Sequence, residues 1–223
     1  MDFSHIDSNL KKIFRLLEGR ETQLIAVTKT RSVEEINYAI DCGVRHIGEN
    51  RVQELLQKYD GLNKSDLKIH LIGRLQTNKV KYIIDKVDLI HSVDSLRLAA
   101  EINKRAEAIN KVQDVLIEIN IGEEESKGGF LSEEIFPVLE EMEKFSSLRI
   151  RGLMAIPPIQ LQPHQNYEYF IKLKQMLVDI RTKKLDNIHM DILSMGMSDD
   201  YEDAILAGSS FIRVGRGIFG PRN

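Results

Sequence analysis

Eight short apolar runs, each ending in polar or glycine residues and each but the last leading into a helical pattern, constrain this chain more than anything else in it. They cover Leu24 to Thr28, Val44 to Ile47, Ile69 to Ile72, Leu89 to His91, Val115 to Ile119, Ile150 to Met154, Met190 to Leu193 and Phe211 to Val214. Most are continuous rather than alternating, which marks strands covered on both faces and hence a parallel sheet. Helical patterns fill the intervals: Val33 to Cys42, Arg51 to Tyr59, Thr77 to Ile84, Leu96 to Ile109, Ser132 to Phe145, His164 to Leu185 and Ser198 to Ala207. Ser32 before Val33-Glu34-Glu35, and Ser132 before Glu133-Glu134, supply capping hydroxyls with acids in the first turn. The alternation predicts an α/β fold, a (β/α)8 TIM barrel forming one domain over residues 1–223, with an additional amino-terminal helix over Ile6 to Leu17. An open doubly wound sheet is the alternative.

Charge and cysteine content remove several function classes. The 223 residues carry 31 Lys+Arg against 34 Asp+Glu, a formal charge of -3, so the chain lacks the basic field that nucleic acid rewards. Cys42 falls in a helical pattern with Ile36, Ala39, Ile40 and Val44 and reads as a small inert side chain. Met1-Asp2-Phe3-Ser4-His5 has no cationic segment leading into an apolar one, and no run approaches the roughly 18 apolar residues of a membrane span. A cytoplasmic protein is expected.

In a barrel the carboxyl ends of the strands share one face, and that face carries the site. Lys29 follows the first apolar run and is placed to condense with a carbonyl compound. Ser194-Met195-Gly196-Met197-Ser198 offers hydroxyls and flexible backbone before a helix expected to begin near Asp199, and Gly215-Arg216-Gly217 lets main-chain amides approach closely after the eighth strand. The two segments read as halves of a phosphate cradle, since the last two loops of such barrels often bind phosphate. His46, His70 and His91 lack the spacing and neighbouring carboxylates of a metal site and read as core or hydrogen-bonded histidines. Lys127, in Glu125-Ser126-Lys127-Gly128-Gly129, reads as a solvated loop lysine or as a second amine at the mouth.

Together these segments resemble the pyridoxal 5'-phosphate (PLP) homeostasis protein family, fold-type III barrels akin to the amino-terminal domains of alanine racemases. The resemblance runs through Ala26-Val27-Thr28-Lys29, Gly48-Glu49-Asn50-Arg51-Val52-Gln53-Glu54, His70-Leu71-Ile72-Gly73-Arg74-Leu75-Gln76-Thr77-Asn78-Lys79, Leu193-Ser194-Met195-Gly196-Met197-Ser198-Asp199-Asp200 and Arg213-Val214-Gly215. It implies PLP held as an aldimine on Lys29, phosphate at Ser198 and at Gly215-Arg216, the pyridine nitrogen facing Arg213, and Asn50 and Met195 among the cofactor-binding residues. Arg216 stands where many relatives have threonine, which leaves main-chain amides, with or without the guanidinium, to meet the phosphate there. The role implied is that of a vitamin B6 carrier or regulator, a monomer that delivers PLP to apo-enzymes. The alternatives are a PLP-dependent amino-acid enzyme of racemase type and an aldolase-like phosphosugar enzyme using Lys29. Racemase action is not expected, because the partner-borne tyrosine that serves alanine racemases as a second base is missing from this chain.

Overall fold

Strands covered on both faces leave no edge exposed only if the sheet closes, and here it does. In the computed structural model, which describes residues 3–159, 164–183 and 185–221, eight parallel strands follow one another in chain order. They are β1 (Gln23–Val27), β2 (His46–Glu49), β3 (Lys68–Leu71), β4 (Leu89–Val93), β5 (Gln113–Ile119), β6 (Leu148–Ala155), β7 (Ile188–Ser194) and β8 (Phe211–Val214). The last returns to the first, with Ile25 opposite Arg213 and Ala26 opposite Val214. The TIM barrel is therefore present and the open sheet is excluded.

The helices are α1 (Ser4–Leu17), α2 (Val33–Asp41), α3 (Val52–Lys58), α4 (Leu96–Glu107), α5 (Ile135–Met142), α6 (Tyr167–Arg181), α7 (Tyr201–Ala207) and α8 (Arg216–Phe219). Ser32 caps α2 as expected: its Oγ accepts from Glu35 N at 3.3 Å while Glu35 Oε2 accepts from Ser32 N at 2.9 Å. The extra amino-terminal helix buries Ile6, Leu10 and Ile13 on one face, and Asn9 Nδ2 donates to Ile218 O at 3.0 Å, which docks α1 on α8. Burying each such side chain stabilises by about 1.5–3 kcal/mol.

Four expectations need correction. The segment after β3 is a 3-10 helix over Thr77–Tyr82 rather than an α-helix to Ile84. Ser132 caps nothing: Glu134 Oε2 accepts from Leu131 N at 2.9 Å, a single 3-10 turn follows, and Pro137 sits in the first turn of α5, where its missing N–H costs no hydrogen bond. The helix expected from His164 to Leu185 is the shorter α6; Lys184 lies outside the described residues. Finally, the residues after β8 form the short helix α8, which no sequence periodicity announced.

Two apolar cores flank the sheet. The larger lies between the strands and the helices, while Ile25, Leu89, Leu116, Met154 and Phe211, with Ile192 against them, fill much of the barrel interior. Among the described residues no helix is long and apolar enough to cross a membrane. The β6–β7 seam depends on one missing side chain, since a Cβ at Gly152 would lie 1.8 Å from Ile192 O where the strand register shifts. Gly152→Ala must therefore force β6 and β7 apart within a closed sheet. Urea unfolding is expected to show a stability loss of about 3 kcal/mol or more, and a loss below about 1 kcal/mol would show that the seam can absorb the methyl.

Candidate functional site

The carboxyl ends of β1, β2, β7 and β8 surround a cavity of about 580 Å3. Lys29, Asn50, Ser198, Arg213, Gly215 and Arg216 all line it, so the closed sheet brings together residues up to 187 positions apart. Met195 does not reach it. Its side chain is fully buried in the core between strands and helices, because it continues the pleat of β7 one step beyond Ser194 and so points to the opposite face. Met197, two residues on, lines the cavity instead.

The backbone on both sides of Lys29 is pinned. Lys58 Nζ donates to Thr28 O at 2.9 Å and to Glu49 Oε1 at 2.7 Å, and Thr28 Oγ1 donates to the same Glu49 oxygen at 2.8 Å. On the far side Thr30 takes a left-handed conformation, φ 65°, with its N–H donating to Glu54 Oε2 at 2.8 Å. Glu49 is almost wholly buried, so its charge is sustained by the Lys58 amine and the Thr28 hydroxyl alone among the described residues. The sequence had suggested no role for Lys58. The available signal was a carboxylate at a strand end with a cation nine residues later on the following helix.

Ser198 and the turn after β8 meet, as Gly217 N donates to Ser198 Oγ at 3.4 Å. The helix that follows Ser198 begins later than expected, at Tyr201, because Asp200 Oδ1 accepts from Met197 N at 2.6 Å and holds the loop in a tight turn. A Cβ at Gly215 would press on Val27 at 3.2 Å, so glycine lets the main chain approach β1 at the cavity wall. The Arg216 guanidinium pairs with Asp199 at 2.6 Å at the exposed rim.

Arg213 is buried and donates to Ser194 Oγ at 2.6 Å and to Ala155 O at 3.0 Å. Burial pulls its pKa down to about 10, which leaves it cationic at neutral pH. Burial, reinforced by Asp94 and opposed by Arg213 and Arg74, pushes the Glu118 carboxyl up to about 7. Asn50 Oδ1 is buried at the cavity edge with no partner among the described residues. Lys127 pairs with Glu124 and donates to Pro157 O at 3.3 Å, so its amine is held between the loops after β5 and β6. His46, His70 and His91 bond to one another rather than to carboxylates. One amine, one buried guanidinium, a hydroxyl and close main-chain amides thus face a single cavity.

Comparison with known proteins matches residues 1–223 to the family described as alanine racemase, N-terminal domain. The pyridoxal phosphate homeostasis protein of Aquifex aeolicus is 46% identical over 200 residues, covering 90% of this chain and 87% of that one. The protein of the same name from Escherichia coli K12 is 40% identical over 206 residues, covering 91% and 87%. Among solved structures, PipY of Synechococcus elongatus with PLP bound superposes with a TM-score of 0.88 at 31% identity, covering 96% of this chain and all of PipY. An alanine racemase of Clostridium difficile matches at TM-score 0.82 and 18% identity, with 57% of its length covered, a likeness of fold alone.

Removing the Lys58 amine would leave Glu49 buried beside Lys29 without its cation. Lys58→Met is expected to lower stability by about 3–5 kcal/mol, and Lys58→Met/Glu49→Gln, which leaves no buried charge, to recover much of it. Urea midpoints of the two variants test this; equal losses would show that the pair does not act as a unit.

Proposed function

We propose a cofactor-holding role from one premise: the chain belongs to the pyridoxal phosphate homeostasis proteins, within the alanine racemase N-terminal domain family. It is a PLP-binding protein of vitamin B6 homeostasis, and it keeps the cofactor at Lys29 as a carrier or regulator rather than a catalyst. The observation that carries this is the convergence of Lys29, the Ser198 hydroxyl, the Gly215–Gly217 turn and Arg213 on one cavity.

The donor set fits PLP group by group. When bound, PLP supplies an aldehyde that joins an amine with loss of water. Lys29 is the amine at the cavity wall. Ser198 and the amides of the turn after β8 are donors for a phosphate, and the Arg216–Asp199 pair keeps the Arg216 side chain at the rim, so the main chain serves the phosphate there. Arg213 presents a guanidinium, donor-only and still charged, to an aromatic nitrogen that accepts. Asn50 Oδ1, buried and unpartnered among the described residues, can accept from a donor on the ligand.

A carrier role is favoured over amino-acid chemistry by what else lines the cavity. Among the described residues, Asp199 is the one carboxylate lining it, exposed and tied to Arg216, and neither a tyrosine nor a histidine lines it. One amine can move protons on a single side of a bound substrate, and inversion needs a second group on the other. Within the same reading, apo-enzymes that need PLP are the recipients, and the barrel works as a single-domain cytoplasmic monomer.

Mixing with PLP should give a visible absorption band that borohydride fixes to the peptide carrying Lys29, and Lys29→Ala should lose the band while keeping the fold. Label on another lysine would overturn the assignment. Pyridoxal, which lacks the phosphate, should bind about ten- to a hundredfold more weakly, the worth of one charged hydrogen bond; equal affinities would remove the cradle. Loaded protein given L-alanine in deuterium oxide should yield no D-alanine at the rates of ordinary enzymes, on the order of 1 per second.

A further inference from the structure

A continuous line of side-chain hydrogen bonds runs through the barrel interior, and holding a ligand at the mouth does not by itself require it. His46 Nδ1 lies 3.0 Å from His70 Nε2, His70 Nδ1 lies 2.8 Å from His91 Nε2, and His91 Nδ1 lies 2.9 Å from Ser194 Oγ. Ser194 Oγ in turn accepts from Arg213 Nη1 at 2.6 Å. His46 and His70 line a second cavity, of about 670 Å3, on the barrel floor, whereas Arg213 lines the mouth. Between the two, His70, His91, Ser194 and Arg213 are buried, and the Phe211 ring packs edge-on against His46 and His70. The line joins two solvent-facing cavities through a buried interior.

Each of these contacts has room for a single proton, and a neutral imidazole carries one N–H. The tautomers are therefore linked, and two orders satisfy every contact. In the first, Ser194 donates to His91 Nδ1 and each imidazole donates through Nε2 towards the floor. In the second, each imidazole donates through Nδ1 towards the mouth, and Ser194 accepts from both His91 and Arg213, so that its own O–H falls outside these contacts. A cationic His46 can only donate to His70, so it selects the second order. The exchange balances. One solvent proton is taken up in all: three protons each cross one hydrogen bond towards the floor, Ser194 Oγ is reprotonated in their wake, and His46 ends with both nitrogens protonated.

We propose that His46, His70, His91 and Ser194 form a tautomer-coupled relay that transmits protonation of His46 at the barrel floor to the hydrogen bonding of Arg213 at the mouth. Ser194 and His91 are thereby positioning residues for Arg213. Charge stays at the floor while orientation travels. Burial holds His70 down at about 3 and His91 well below the ordinary imidazole range, the latter with Arg213 adding to the effect, so neither takes up a net proton near neutral pH.

His46 is half-buried, and burial lowers its pKa while Asp88 opposes and Lys68 assists. The other charges around the floor are largely paired off: Lys68 with Asp88, Lys86 with Asp85, Arg149 and Arg151 with Asp114. Lys64 turns to Tyr59 O, and Lys111 donates to Ile84 O and Val87 O. No unpaired carboxylate among them competes for the His46 proton.

The coupling within the line does not depend on PLP; only its reading at the pyridine nitrogen rests on the proposed function. The test is ring-nitrogen NMR of the cofactor-free full chain labelled at histidine, titrated over about pH 5 to 8. His70 and His91 are expected to exchange Nδ1 and Nε2 character together as His46 titrates, with a midpoint below the free value of about 6.5, and His46→Gln is expected to abolish the exchange. Unchanged tautomers through the wild-type titration, or an exchange that persists in His46→Gln with the same midpoint, overturn the proposal. If that variant does not fold, the wild-type titration alone decides. In PLP-loaded protein the visible band should shift with the same midpoint in the wild type and not in His46→Gln. A band that ignores His46 while the tautomers switch refutes transmission to the mouth, whereas failure to form any reducible band refutes the cofactor reading and leaves the relay standing.

Discussion

The pairing of β8 with β1 is the constraint from which the site follows. Ile25 opposite Arg213 and Ala26 opposite Val214 place the strand leading to Lys29 beside the strand carrying Arg213. Without that closure the amine and the guanidinium would stand on opposite edges of an open sheet. Closure is short on hydrogen bonds at its other side, where β7 and β8 share the single ladder pair Ser194 and Phe211. Main-chain bonds beyond the ladder make up the difference: Ser210 N to Leu193 O at 2.9 Å, Met195 N to Phe211 O at 3.1 Å and Arg213 N to Gly196 O at 2.9 Å. The same bonds fold the Ser194–Ser198 segment back against β8, so the joint that completes the barrel also brings Ser198 to Gly217.

What the sequence made legible follows the range of each physical signal. Continuous apolar runs report burial on both faces, a local property, and every run became a strand. Helix starts were less readable, because capping depends on which of several nearby oxygens wins: Ser32 was free to cap α2, while Glu134 took over at Leu131 and left the Ser132 hydroxyl unpartnered among the described residues. A helix as short as α8 has too few positions to show a period. Of the residues lining the cavity, Lys29 and Ser198 were singled out by position after strand ends, Arg213 only through the family resemblance. Met195 was misplaced because a list of strand ends ignores pleat parity, and one step along the chain exchanges cavity for core.

Contacts between strands were the least legible of all. His46, His70 and His91 could be placed in the barrel wall, but their mutual bonds depend on register, as when Gly48 comes opposite His70 and His70 opposite Leu89. No local pattern encodes that stagger. The Glu49–Lys58 pair was hidden for a similar reason, since it joins a strand end to the face of the next helix and neither residue is unusual alone.

Arg213 shows why the interior is polar at all. A guanidinium buried inside a barrel needs acceptors, and Ala155 O and Ser194 Oγ provide two. Ser194 can accept from Arg213 only if its own proton has somewhere to go, and His91 is the nearest partner. His91 is fully buried, so its far nitrogen needs a partner as well, which His70 supplies, and the requirement passes on to His46, where solvent at the floor cavity ends it. Each buried polar group thus obliges the next, and the sequence of obligations stops only at water. An apolar barrel interior would be simpler to stabilise, but it could not carry a cation at Arg213 with its donors satisfied. The polar line is therefore a structural consequence of placing that charge at the mouth, and its coupled tautomers come with it.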